Sequence, residues 1–181
     1  MRKISLFILM GLLVFFLTGC TQLQTQTSFD IDQQGEMDIE IVLRADETFA
    51  GDQARSFVWG LTNAIPELQN NYSLTKTTKT IDYSDYLFYT FQSKERISTE
   101  EHENITFQQN DDGSYRFELK IPALLEEVSE SDKDTRAYQI SVTLPKEIGM
   151  ANSKKVEGNT ATWVIYYHEL ESKNTLKAFT K

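Results

Sequence analysis

Alternation of apolar and polar residues at a period of two recurs after position 26, and it constrains the fold more than any other feature. Phe29 and Ile31 alternate with polar neighbours before Gly35. The alternation then returns at Met37, Ile39, Ile41 and Leu43. Because successive side chains of a strand point to opposite faces of a sheet, this pattern predicts a hairpin with one buried face.

Segments of the same kind follow along the chain. They are residues 72–74, 81–83, the aromatic run 86–91, 105–107, 115–121, 138–144 and 163–167. The intervening stretches 110–113 and 158–159 contain Asn, Asp and Gly, which favour tight turns. The tail with Leu176 and Phe179 predicts a further short strand at a sheet edge. We expect roughly seven to nine strands.

One segment has the period of a helix. Its apolar residues recur at spacings of four, four and three: Phe57, Leu61, Ile65 and Leu68. This spacing places them on one face of a helix over about residues 51–68, which ends near Pro66. Trp59 lies off that apolar stripe.

Together these elements predict an α+β fold, a mainly antiparallel β-sheet with one substantial helix (about 51–68) packed on it. The 11 Phe, 8 Tyr and 2 Trp of the chain suit a packed core. Ser98 and Glu101 have the spacing of a capping box, which predicts an additional short helix. The acidic stretch 126–134 predicts an exposed loop, and no second domain is visible.

The first 19 residues have the three regions of a secretory signal peptide. Arg2 and Lys3 precede an apolar stretch of 14 residues from Ile4 to Leu17, and the small pair Thr18-Gly19 follows. An unkinked helix needs roughly 20 apolar residues to cross a bilayer. A cleaved signal therefore fits this stretch better than an uncleaved membrane anchor does.

The only cysteine follows directly behind this signal. Leu17-Thr18-Gly19-Cys20 resembles the bacterial lipobox, in which diacylglycerol is joined to the cysteine sulfur and the chain is cut before that cysteine. We therefore expect a signal peptide at 1–19, a lipidated Cys20 with a short tether at 20–26, and one extracytoplasmic domain at 27–181. The predicted location is the extracytoplasmic side of the cell membrane. An ordinary secreted protein with an unpaired thiol is the alternative.

Charge limits the partners of such a protein. Cleavage before Cys20 would remove Arg2 and Lys3 and no acid, which changes the formal charge from −9 to −11. An acidic surface argues against nucleic acid and against adhesion to anionic lipid by charge alone. The predicted partners are membrane lipid through Cys20 and a lipid, a glycolipid or an envelope protein.

Residues 141–163 are similar to the C-terminal part of the LppM-like bacterial lipoproteins. The shared features are a strand that ends in proline, a bulge with asparagine, a Gly-Asn turn and a strand with tryptophan, here Pro145, Asn152, Gly158-Asn159 and Trp163. The start also resembles that family, since Cys20 is followed at once by a strand, by Asp32-x-x-Gly35 and by a second strand.

This resemblance implies an extracytoplasmic α+β domain that binds lipid or an envelope glycolipid, with no enzymatic residues to carry over. Many members of the family continue into a C-terminal membrane helix. Thr180-Lys181 follows the last strand here without one, so we expect Cys20 to be the only anchor.

Aromatic residues are the candidates for a ligand groove: Trp59, Tyr83, Tyr86, Tyr89 and Trp163. A groove with such a lining would suit an acyl chain or a sugar. The alternative is that these rings pack in the core beneath the helix. Phe88 and Tyr89 are adjacent in a strand and point to opposite faces, so one of them faces away from the helix.

No metal or cofactor is predicted. Asp30-x-Asp32-x-Gln34-Gly35 superficially resembles a calcium loop, but the position that needs an acid is Ile41. His102 and His168 lie far apart among acidic neighbours, and a zinc site would need further ligands. We expect both histidines at the surface.

An enzyme is not expected either, because the chain has no nucleophile elbow, no free cysteine and no His-Glu-x-x-His motif. A surface hydrolase would have to use a pair of acids, and nothing singles out two of the 27. The sequence therefore favours a non-enzymatic lipoprotein that binds a hydrophobic or envelope-glycan ligand or an envelope protein near the membrane. A purely structural part of an envelope complex is the other alternative.

Overall fold

The computed structural model describes residues 23–181. Its helices are α1 (Glu47–Ala64) and α2 (Pro66–Asn71), and short 3-10 turns occur at Thr99–Glu101 and Tyr167–Glu171. Its strands are β1 (Leu23–Ile31), β2 (Glu36–Asp46), β3 (Tyr72–Ile81), β4 (Ser84–Ser93), β5 (Ile97–Ser98), β6 (Ile105–Gln109), β7 (Tyr115–Ile121), β8 (Arg136–Thr143), β9 (Ile148–Ala151), β10 (Lys155–Glu157), β11 (Thr160–Tyr166) and β12 (Asn174–Thr180).

The described strands form two sheets. The larger has the order β10-β11-β8-β1-β2-β4-β3, and the short β5 pairs with β2 beside this path. The smaller has the order β6-β7-β12-β9. Strands β1 and β8 pair in parallel, whereas the other described pairs are antiparallel. This architecture confirms the predicted α+β class, with one substantial helix of 18 residues.

One face of the larger sheet is covered by α1. Every second residue of β2 is buried on that side: Met37, Ile39, Ile41, Leu43 and Ala45. The core that begins here continues as one hydrophobic cluster into the smaller sheet through Phe117 and Leu119 of β7. The opposite side of β2 carries Asp38, Glu40, Val42, Arg44 and Asp46, all half-buried by neighbouring side chains. We call this second side the open face.

Helix α1 begins four residues earlier than predicted. Asp46 caps it, because its Oδ1 accepts hydrogen bonds from the backbone N–H of Thr48 at 3.0 Å and of Phe49 at 3.2 Å. The helix ends at Ala64, and Pro66 starts α2 instead of closing α1. Proline is favoured in a first helical turn, where its missing N–H would have no partner in any case.

The N-terminal boundary of the domain also differs from the prediction. Strand β1 begins at Leu23, so residues 23–26 of the predicted tether pair with β2. Thr25 and Thr27 continue the buried positions of the strand. They have β-branched side chains that suit a sheet, although their hydroxyls hide the apolar alternation in the sequence.

Three smaller predictions are corrected. The tail is not an edge strand, because β12 lies between β7 and β9 inside the smaller sheet. A short 3-10 helix follows Ser98 as predicted, but Ser98 makes no side-chain capping bond. The stretch 126–134 is largely exposed, but Val128 is buried and donates its N–H to Glu171 Oε1 at 2.7 Å.

Candidate functional site

The start of β1, the end of β2 and the starts of β4 and β8 lie at one end of the larger sheet. Leu23 pairs with Ala45, and Ala45 pairs on its other side with Leu87. Because β8 runs parallel to β1, with Thr25 opposite Tyr138, the start of β8 lies at the same end of the sheet. We call this the chain-start end.

A shallow cleft of about 180 Å³ opens at the chain-start end. Its lining residues are Gln24, Arg44, Asp46, Phe49 and Tyr86. The sheet register brings most of them together, since Gln24 lies opposite Arg44 and Asp46 lies opposite Tyr86. Phe49 joins from the first turn of α1 and is largely exposed. The lining therefore combines a cation, an acid, an amide and two aromatic rings.

Arg44 lies over the Tyr86 ring on the open face, with Phe88 nearby. Its guanidinium carbon is 3.9 Å from the centroid of the Tyr86 ring and 6.0 Å from that of Phe88. These cation–π contacts orient the guanidinium without neutralising its charge. Its Nε is buried and has no hydrogen-bond partner among the described residues.

Arg136, the first residue of β8, is the second cation of this region. Burial first, and then the positive charge of Arg44, lower the pKa of Arg136, while Tyr166 acts in the opposite direction. Its Nε, too, is buried without a partner within the described part of the chain. No carboxylate of residues 23–181 lies within ion-pair distance of either arginine. Such a pair has the chemistry to bind an anion.

The five aromatic candidates from the sequence lie in different environments. Tyr86 lines the cleft. Trp59 is 72% exposed on α1, and Tyr83 is fully exposed in the turn between β3 and β4. Tyr89 and Trp163 are each only 6% exposed in the core, as the alternative interpretation expected. The structure thus brings Tyr86 to the cleft, and a groove formed by all five stays a prediction.

Arg44, Arg136 and Phe49 were not candidates in the sequence. Arg44 occupies a polar position of an alternating strand, where a charged side chain is ordinary. Phe49 lies before the predicted start of the helix, and only the Asp46 cap reveals that it belongs to the first turn. Arg44 and Arg136 come close together only because β1 pairs in parallel with β8. A pattern of neighbouring residues in the sequence cannot predict such a pairing.

Three aspartates surround one arginine at the opposite end of β1 and β2 and in the turn between them. Arg96 lies 2.8 Å from Asp32, 3.0 Å from Asp38 and 3.9 Å from Asp30. Burial would lower the pKa of Arg96, but Asp38, Asp32 and Asp30 together raise it. A guanidinium therefore lies among the carboxylates that superficially resembled a calcium loop. Within residues 23–181, no group of three His, Cys, Asp or Glu side chains is placed to hold a metal ion.

The two histidines have different surroundings. His168 is exposed, stacks on Tyr166 with ring centroids 6.0 Å apart, and has Nδ1 2.7 Å from the Lys133 carbonyl oxygen. His102 is half-buried directly after the Thr99–Glu101 turn, so its predicted surface position holds only in part.

The predicted lipidation site lies outside the described residues. This applies to Leu17, Thr18, Gly19 and Cys20. In the part that the structure does describe, no helix is both long enough and apolar enough to cross a membrane.

Two mainly antiparallel sheets, with a helix on the larger one, define the class of this protein as an α+β domain with an open sheet face. Among solved structures, the NMR structure of the folded domain of the Mycobacterium tuberculosis LppM protein is similar to it. The two chains are 12% identical with a TM-score of 0.44, over 88% of this chain and 90% of the other. No protein-family model and no curated protein matches the chain. A likeness at this level decides neither family nor function.

Proposed function

We propose that the protein is a membrane-anchored, non-enzymatic bacterial lipoprotein. Its domain binds a hydrophobic or envelope-glycan ligand, or an envelope protein, near the membrane surface. The observation that carries this proposal is the position of the cleft. The cleft lies at the chain-start end, where Leu23 of β1 follows the lipobox cysteine Cys20 by three residues.

With Cys20 in the membrane, the short connection would hold the cleft close to the bilayer. Even when fully extended, three residues span at most about 10 Å. A diacylglyceryl group on Cys20 would contribute about 0.8 kcal/mol for each buried methylene, so two acyl chains hold a domain firmly. A ligand for this cleft would therefore come from the membrane surface or its immediate neighbourhood.

The anchor is tested by lipid labelling in a bacterial host. Cells that express the full chain are grown with radioactive palmitate, and the mature protein is isolated and its mass measured. We expect a labelled protein that begins at Cys20 and carries a diacylglyceryl thioether. Cys20→Ser should abolish both the label and the cleavage. A wild-type chain that is cut elsewhere and released without lipid would overturn the anchor.

The ligand is tested with the same mature protein. After gentle detergent extraction, the molecules that copurify are identified by mass spectrometry. Tyr86→Ala removes a ring of the cleft, whereas Met150→Ala removes an exposed apolar side chain of β9, which is not a groove candidate, and serves as the control. We expect a bound species that is lost with Tyr86→Ala and retained with Met150→Ala.

Crosslinking in intact cells separates the remaining alternatives. A protein ligand would give a crosslinked partner that Tyr86→Ala loses, whereas a purely structural role predicts a partner that survives this change.

The hydrolase alternative gains no support from the aspartates at Arg96. A hydrolase of this kind needs one carboxyl group as acid and a separate one as base or nucleophile. Asp30, Asp32 and Asp38 instead all face the same guanidinium.

A further inference from the structure

The cation pair at the chain-start end is not explained by the fold. Arg44 of β2 and Arg136 of β8 lie on the two strands that flank β1 at the chain-start end. A bulge between Ile165 and Tyr166 sets Arg136 opposite the exposed Tyr166, which places it on the open face like Arg44. Neither arginine has a carboxylate within ion-pair distance in residues 23–181. Like charges close together destabilise a folded state when no counter-charge is present. The pair is therefore a cost to the isolated domain.

The hydrogen-bonding state of the two side chains adds a second cost. The Nε of Arg44 and the Nε of Arg136 are both buried without a partner in the described chain. A buried donor that has lost its water and found no acceptor costs roughly 1–3 kcal/mol. One anionic group with several oxygens would neutralise both cations, and a movement of the two side chains on binding would bring its oxygens to the buried Nε–H donors.

We infer that Arg44 and Arg136 together bind a phosphate group of the ligand on the open face. A phosphate group offers the bidentate oxygen geometry that guanidinium groups match. The amide of Gln24, which lies on β1 opposite Arg44, adds a neutral donor between the two cations. The Tyr86 ring holds the Arg44 guanidinium in place, with the guanidinium carbon 3.9 Å from the ring centroid.

One neighbouring charge opposes this assignment. Asp46 lines the same cleft and would repel an anion. Its Oδ1, however, is directed to the first turn of α1, where it accepts from Thr48 and Phe49. The phosphate is therefore expected on the side of Arg44 that faces Gln24 and Arg136.

The overall acidity of the chain does not contradict a local anion site. The formal charge of −9 disfavours adhesion to anionic lipid by charge alone. A paired, partly buried cation site selects single phosphate groups by geometry instead. This inference rests on the proposed function, because the short connection from Cys20 to Leu23 is what makes a phospholipid headgroup an available source. A free phosphate ester of the envelope is the other source.

The test uses the mature, lipidated protein in detergent and three probes. They are water-soluble dihexanoyl phosphatidylglycerol, glycerol 3-phosphate and dihexanoylglycerol, which share parts of one structure. Binding is measured by titration calorimetry, and the Nε–H signals of arginine are followed by NMR. We expect at least one phosphate-bearing probe to bind and dihexanoylglycerol not to bind. The Nε–H signals of Arg44 and Arg136 should both shift when that probe binds.

Variants assign the binding to the pair. Arg44→Gln and Arg136→Gln should each weaken binding about tenfold or more, as expected for a lost charge-assisted contact. Arg55→Gln is the matched control. It removes another arginine charge, but Arg55 lies on α1 and is already paired with Asp52 and Glu47. If Arg136→Gln fails to fold, Arg44→Gln and the NMR shifts still decide the question.

The outcomes are distinct. Binding of phosphatidylglycerol alone identifies a lipid headgroup as the source, and binding of glycerol 3-phosphate with similar affinity identifies a free phosphate ester. No binding of either probe, or equal weakening by Arg55→Gln, overturns the phosphate site. The anchor is judged separately from the protein mass: a chain without diacylglycerol refutes the anchor but still permits the titration.

Discussion

Trp163 donates its indole Nε1–H to Asn152 Oδ1 at 3.0 Å, and this bond links the two sheets. Trp163 belongs to β11 of the larger sheet. The same Oδ1 accepts the backbone N–H of Lys177 at 2.8 Å, and the Asn152 amide donates to the Thr175 carbonyl at 2.8 Å. Lys177 and Thr175 belong to β12 of the smaller sheet. One side chain outside the regular strands therefore joins both sheets.

Asn152→Ala should lower the free energy of unfolding by about 2 kcal/mol, because it leaves the buried indole N–H of Trp163 without an acceptor. Urea unfolding followed by tryptophan fluorescence measures this loss. Asn152→Asp keeps the acceptor oxygen for Trp163 and Lys177 but sets its second oxygen against the Thr175 carbonyl, which repels it, so this variant also loses stability while the bond from Trp163 is kept. Equal stability of all three proteins would show that the bond contributes nothing.

The cap of α1 gives a second prediction. Asp46→Ala removes the acceptor for two backbone N–H groups of the first turn and should cost about 1 kcal/mol. Asp46→Asn keeps an acceptor and should recover most of this stability. Asp52→Ala is the control within the same helix, since Asp52 forms an exposed pair with Arg55, and such pairs contribute little. Thermal unfolding of the four proteins distinguishes a cap from a general effect of charge.

Local patterns were enough to predict the fold class, because most strands of this domain bury one face. In β2, an apolar residue stands at every second position from Met37 to Ala45, and all five are buried. The start of α1 was missed for a physical reason. Ala50, Gly51 and Ala54 are buried in the helix, but such small residues add little to an apolar stripe, so the stripe itself indicates a later start.

Long-range pairing was not predictable from local patterns. The tail with Leu176 and Phe179 has the composition of an edge strand, yet β7 and β9 flank it on both sides. The candidate site has the same difficulty. Arg44 and Arg136 are more than 90 positions apart in the chain, and only the β1–β8 pairing brings their strands together. Tyr86 was the cleft residue that the aromatic run had indicated.

The turn between β3 and β4 carries backbone strain. Asp82 has a φ of 49° and Tyr83 a φ of 67°, in the left-handed region that side chains with a Cβ disfavour. Tyr83 is fully exposed, so no packing offsets this strain. Tyr83→Gly should therefore raise the free energy of unfolding by about 0.5–1 kcal/mol, the strain relief less the chain entropy that glycine loses.

Tyr83→Ala is the control for that prediction, because alanine keeps the Cβ and should bring little gain. Urea unfolding of the three proteins measures the difference. A Tyr83→Gly protein no more stable than Tyr83→Ala would mean that the turn is not strained. If Tyr83→Gly is more stable yet binds the ligand less well, the exposed ring serves binding at the expense of stability.

Glu118 of β7 gives a prediction about pH. Arg116 donates to it at 2.6 Å and Lys177 lies 3.2 Å away. The Arg116 hydrogen bond lowers the pKa of Glu118 below its ordinary 4.5, burial opposes this, and Lys177 adds to the lowering. A carboxyl whose pKa is lower in the folded state stabilises the fold above its unfolded pKa and loses that effect as the pH falls through the folded pKa.

Glu118→Gln should therefore be less stable than wild type by roughly 1.5 kcal/mol at pH 7, the range of a charge-assisted hydrogen bond. This difference in the free energy of unfolding between wild type and Glu118→Gln should stay constant as the pH falls to about the ordinary pKa of 4.5. Below that pH it should shrink. Urea unfolding at a series of pH values between 7 and about 3 measures it. Glu157→Gln, which breaks an exposed pair with Lys155, should change stability at pH 7 by less than about 0.5 kcal/mol. A gap for Glu118→Gln that stays the same at every pH would mean that its carboxylate charge does not stabilise the fold.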